Sequence, residues 1–93
     1  MSVTSLLDRQ RERFLADPDD ERAFQALEED LFLAGDWDGV MEVYGRRLEA
    51  ASIADQPRER AGIHCRRGQV YQDRRNDFDS AIECYREALN ADA

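Results

Sequence analysis

Two stretches of this chain repeat one another at a fixed distance. Asp36-Trp37-Asp38-Gly39-Val40-Met41-Glu42-Val43-Tyr44 aligns with Asp77-Phe78-Asp79-Ser80-Ala81-Ile82-Glu83-Cys84-Tyr85. In each, an aspartate precedes an aromatic residue, a second aspartate follows it, and a tyrosine comes seven residues after the aromatic. Leu48 and Leu89 extend the match, and the offset is 41 residues throughout. A repeat of this length is the size of one helical hairpin, which buries its apolar face by lying against a neighbour.

Periodicity and punctuation predict five helices. The first runs over about 5–16, with Thr4 or Ser5 as its cap and Leu7 and Phe14 on one face. Asp17-Pro18-Asp19-Asp20 ends it, because proline cannot continue a helix. The second spans about 21–34, with Phe24, Leu27, Leu31 and Ala34 as its apolar stripe and Gly35 as its stop. Asp36 caps a third helix over about 37–51, with Trp37, Val40, Met41, Tyr44 and Leu48 on one face. The segment 52–57 reads as a connector, and Pro57 opens a fourth helix over about 58–74 that carries Ile63, Gly68, Val70 and Tyr71. Asn76 and Asp77 precede a fifth helix that runs to about 90. Its Phe78, Ala81, Ile82, Tyr85, Ala88 and Leu89 are expected to face inward. The short breaks at Gly35-Asp36 and Asn76-Asp77 force antiparallel hairpins.

With these residues in place, the chain resembles the tetratricopeptide repeat family. The second unit supplies Gly68-x-x-Tyr71, Ala81-x-x-x-Tyr85 and Ala88-Leu89. The first supplies Phe24-x-x-Leu27, Leu31, Val40-x-x-x-Tyr44 and Leu48. The resemblance implies an all-α fold of antiparallel hairpins stacked as a short right-handed α-solenoid. It would be a single domain with a capping helix over 1–17, repeat one over 20–51 and repeat two over 57–91. Tyr44 and Tyr85 are then expected to point inward, with Trp37 and Phe78 in equivalent environments. The chain departs from the family in its 41-residue offset against the usual ~34, in Glu28 at a small-residue slot, and in Arg67 where leucine belongs. The sequence stops soon after Leu89 without a capping helix, so continuation in a longer array or contact with another subunit is expected.

The family's first helices line a concave groove for a peptide or partner helix. Carried over by motif, the partner-binding residues are Arg22, Gln25, Glu29, Phe32 and Leu33 in the first unit. In the second they are Gly62, Cys65, Gln69, Gln72 and Asp73, with Arg66 beside them. Some family members clamp a terminal carboxylate with lysine and asparagine. Gln25 and Glu29 stand in those slots here, which disfavours that ligand. The expected function is therefore a protein-interaction module or scaffold. A second expectation is self-association, as a homodimer through the last two helices.

The formal net charge of −8 disfavours a nucleic-acid partner. All thirteen basic residues are arginines, which a GC-rich genome or adaptation to high salt would each explain. Between Asp17 and Glu42, ten acids face Arg22 alone. Between Val43 and Arg75, eight arginines face four acids. Pairing of these blocks within the molecule is one expectation. The other is that Arg66, Arg67, Arg74 and Arg75 capture an acidic partner.

No apolar run has membrane-spanning length and no signal peptide opens the chain, so the cytoplasm is the expected compartment. Cys65 and Cys84 are too few for a disulfide framework and are expected as buried or half-buried thiols. His64 and Cys65 diverge by roughly 100° on a helix, which defeats joint metal binding or a nucleophile–base pair. His64 fits an aromatic packing slot. No cofactor, metal or catalytic residue is expected.

Overall fold

The structure, a computed structural model, describes residues 3–92. Its elements are six helices: α1 (Val3–Ala16), α2 (Glu21–Ala34), α3 (Trp37–Leu48), α4 (Ala51–Ala54), α5 (Pro57–Arg74) and α6 (Phe78–Ala91). No strand occurs among the described residues. The chain divides after Ala50 into two compact units, one built from α1, α2 and α3 and the other from α4, α5 and α6.

Short side chains set the helix boundaries. Asp20 accepts the Ala23 amide, Asp36 the Gly39 amide and Asp77 the Ser80 amide, so each aspartate caps the helix that follows it. The two hairpin turns share a left-handed residue just before the capping aspartate. Gly35 has a left-handed φ of 70°, and the Asp36 amide reaches back to the Leu31 carbonyl at 3.0 Å. Forty-one residues on, Asn76 has φ 53° and the Asp77 amide donates to the Tyr71 carbonyl at 2.9 Å. Glycine and asparagine are the residues that adopt this conformation most readily, so the left-handed residue recurs at the repeat offset, although the second turn is one residue longer and its closing bond spans six residues instead of five.

Three boundaries differ from expectation. The first helix already begins at Val3, which places Thr4 and Ser5 within it rather than at its cap. The third helix ends at Leu48, and Glu49 and Ala50 close its last turn through 3-residue hydrogen bonds. The expected connector contains one helical turn, α4, which packs beside α5 and carries the buried Ile53. An apolar residue amid a short polar stretch gives such a turn something to bury.

In the first unit α1 packs on α2 and α2 on α3. Phe14, Leu27, Leu31, Val40 and Tyr44 are completely buried. The Phe24 ring joins the three helices. Its centroid is 5.9 Å from that of Phe14 and 6.2 Å from that of Tyr44, the latter edge-on. Arg47 is buried too, with its guanidinium carbon 5.2 Å from the Phe24 centroid. Its Nη1 donates to the Pro18 carbonyl at 2.6 Å, so the charge is not left unsatisfied.

In the second unit α5 packs along α6. The side of α6 that is buried differs from expectation. Ala81, Cys84 and Ala88 are buried, whereas Phe78, Ile82 and Leu89 are 59%, 49% and 68% exposed. The reason is close approach. Gly68 has no side chain, and the Tyr85 ring occupies the space: a Cβ there would lie 2.6 Å from Tyr85 Cε1. Small residues on α6 allow this approach, and the larger apolar ones are left beside it.

Candidate functional site

Each unit presents one exposed helix face that matches a predicted partner-binding set. On α2, successive residues are turned by about 100°, so Arg22, Gln25, Glu29, Phe32 and Leu33 share an arc opposite the buried Ala23, Phe24, Leu27 and Leu31. All five are exposed. Leu33 is 81% exposed, and Phe32 is only partly covered, its ring standing edge-on to Trp37 at 5.2 Å. The face therefore has two apolar residues amid polar ones. Gln25 Nε2 donates to Glu21 Oε1 at 3.3 Å, a bond confined to this helix.

On α5, Cys65, Arg66, Gln69, Gln72 and Asp73 are likewise exposed on one arc, opposite Ile63, His64 and Val70. Gly62 lies on the same arc and is half-buried. Gln72 Oε1 accepts the Tyr85 hydroxyl at 3.0 Å. This face is polar, with no large apolar residue among these positions.

Two expectations about reactive residues need correction. Cys65 is exposed rather than buried, because position 65 lies on the outward arc of α5; Cys84 is the buried thiol. Arg67 is not part of an exposed arginine cluster. It is half-buried, with Nη1 3.4 Å from His64 Nδ1. Arg66, Arg74 and Arg75 remain exposed.

The repeat is also asymmetric at its aromatics. Tyr44 is fully buried and Tyr85 half-buried, while Trp37 is half-buried and Phe78 mostly exposed, so Trp37 and Phe78 are not equivalent. The cause lies on the preceding helix. Trp37 has Phe32 to pack against, but the corresponding position on α5 is Gln72, which serves the Tyr85 hydroxyl instead. The tyrosines differ in a related way. Glu28 occupies the slot that Gly68 fills in the second unit, and its Oε2 accepts the Tyr44 hydroxyl at 2.5 Å. The residue that breaks the small-residue pattern thus gains a hydrogen-bonding partner. The burial of Arg47 was not expected from the sequence; its place three residues after Tyr44 on α3 is the one local signal for it.

Burial holds the His64 imidazole pKa below its ordinary 6.5, and the nearby Arg67 guanidinium acts in the same direction. A neutral imidazole can accept from Arg67 at Nδ1. The unfolded chain takes up a proton below pH 6.5 that the folded chain resists. Stability from neutral His64 is therefore present above that pH and declines as pH falls towards the lowered folded value. Urea unfolding followed across the histidine range should show this decline, and His64→Phe should flatten it. Equal slopes in the two proteins would refute the assignment. Burial likewise pushes the Cys84 thiol up, which disfavours the reactive thiolate.

Among the described residues, no group of three or more histidine, cysteine, aspartate or glutamate side chains is placed to hold a metal ion. No described helix is long and apolar enough to cross a membrane. The architecture defines an all-helical protein of two hairpin-containing units. Comparison with protein-family models, with curated proteins and with solved structures gives no significant match.

Proposed function

We propose that the chain is a protein-interaction module whose units are tetratricopeptide-like hairpins, each unit presenting its own exposed helix face, α2 in one and α5 in the other, to a partner peptide or helix. The observation that carries this reading is the α2 face. Leu33 is 81% exposed beside the partly exposed Phe32, with Glu29 one turn away and Gln25 and Arg22 further along the same face. Apolar anchors bordered by polar groups are how protein-binding surfaces combine affinity with register. Leu33 lies off the stripe that holds α2 in its unit, so the packing of Leu27 and Leu31 does not require it, and Phe32 meets Trp37 with its ring while staying partly exposed. On α5, Gln69 and Gln72 offer side-chain donors, and Arg66 favours acidic groups.

Selection from a displayed peptide library tests the proposal. Retained peptides should lose at least about tenfold in affinity to Leu33→Asp, which buries a charge at the anchor, with far-UV circular dichroism unchanged. Arg66→Glu with Arg74→Glu should weaken the acidic members of the selected set. Peptides that bind wild type and Leu33→Asp equally, or a library that yields no binder, would overturn the reading.

A further inference from the structure

α6 carries a second apolar surface that neither exposed helix face uses. Phe78, Ile82, Tyr85 and Leu89 follow one another at spacings of four, three and four, which aligns them in a seam along the helix. Phe78, Ile82 and Leu89 are largely exposed, and Tyr85 is half-buried. The side of α6 against α5 is the row of Ala81, Cys84 and Ala88, roughly a quarter-turn or more away, and of the seam residues only Tyr85 also reaches α5, its ring lying across Gly68. The corresponding α3 residues, Trp37, Met41, Tyr44 and Leu48, are all half-buried or buried. The same sequence pattern is thus covered once and open once.

The charges beside the seam indicate what fits it. On the edge away from Ala81 and Ala88 lie Asp79 and Arg86, seven residues apart and both exposed. Two copies of α6 laid antiparallel about a two-fold axis put Phe78 opposite Leu89 and Ile82 opposite Tyr85. In that register Asp79 of each copy comes across from Arg86 of the other, and the exchange occurs twice. A parallel pairing through the same seam would set Arg86 against Ala81 and lose the exchange. The surface is complementary to itself in one orientation, in both apolar residues and charge.

We infer that α6 is a homodimer interface, and that its occupant is α6 of a second copy of this chain, packed antiparallel. The interface is one pair of four-turn helices, at the small end of specific interfaces, so the association is weak and concentration-dependent. It is built on α6 and meets the α5 candidates only through the Tyr85 hydroxyl, which donates to Gln72.

Sedimentation velocity of the full 93-residue chain, at physiological salt and from low-micromolar to near-millimolar concentration, provides the test. The mass should rise with concentration from 10.8 kDa towards twice that value. Ile82→Asp should weaken association at least about tenfold with helicity intact, because Ile82 is half-exposed in the single chain. Asp79→Arg sets two arginine pairs in apposition and should weaken it by several-fold, while Asp79→Arg combined with Arg86→Asp should restore it. A 10.8 kDa monomer at every concentration would overturn the inference, and so would growth beyond the dimer. Association indifferent to Ile82→Asp, or a double variant no better than the single one, would do the same.

Discussion

Phe24→Ala is expected to destabilise the first unit by about 3–5 kcal/mol, the range for truncating a buried aromatic side chain. Phe24 is 5% exposed and touches three partners at once: the Phe14 ring from α1, and the Tyr44 ring and Arg47 guanidinium from α3. Its removal leaves a hole bordered by two rings and a buried cation, none of which can close it alone. Whole domains of this size are stable by only about 5–15 kcal/mol, so the loss is a large share of the total. Trp37 is the single tryptophan and lies in this unit, so its fluorescence reports the transition directly. A shift in urea midpoint equivalent to less than about 1 kcal/mol would contradict the central place given to Phe24.

Arg47→Met should cost about 2–3 kcal/mol, although methionine keeps most of the apolar stem. Two interactions disappear: the hydrogen bond from a charged donor, about 1.5–3 kcal/mol, and the cation–π contact, about 0.5–2 kcal/mol. The second figure overlaps the desolvation cost that is relieved when the cation is removed, so the two do not add in full. The loss also leaves the Pro18 carbonyl without the Arg47 donor at the turn between α1 and α2. Arg47→Lys separates charge from shape. Lysine keeps the cation but lacks the planar group that lies over Phe24, so it should recover only part of the loss. Full recovery by lysine would mean that charge alone matters at this position.

Much of the fold was legible because its signals are local. The bounds of α2 and the caps at Asp36 and Asp77 follow from residues within three positions of each boundary. The internal match at 41 residues located both hairpins for the same reason. The orientation of α6 was not legible. Periodicity shows that a helix has apolar rows, but Phe78–Leu89 and Ala81–Ala88 are neighbouring rows, and choosing between them depends on how closely α5 approaches. That approach is set by Gly68, a residue on the other helix. Arg47 and Glu28 were obscured by a similar problem. Each is charged and reads as surface in isolation, and only the third dimension supplies the Pro18 carbonyl or the Tyr44 hydroxyl. The α2 and α5 candidates were legible as sets, because helical spacing alone puts Arg22, Gln25, Glu29, Phe32 and Leu33 on one arc, and Cys65, Arg66, Gln69, Gln72 and Asp73 on another.

The two tyrosine anchors bear on how these hairpins can be recombined. Tyr44 ends on a carboxylate at the slot where the second unit has Gly68, whereas Tyr85 lies across Gly68 and ends on Gln72, one turn further along. Each helix is therefore keyed to its own companion. A chimera that joins α2 to α6 would bring Glu28 into the volume the Tyr85 ring needs, and one that joins α5 to α3 would leave Tyr44 without its carboxylate. Shuffling or duplication of this sequence preserves these fits only when the cut falls between hairpins, with each helix pair inherited as a cassette.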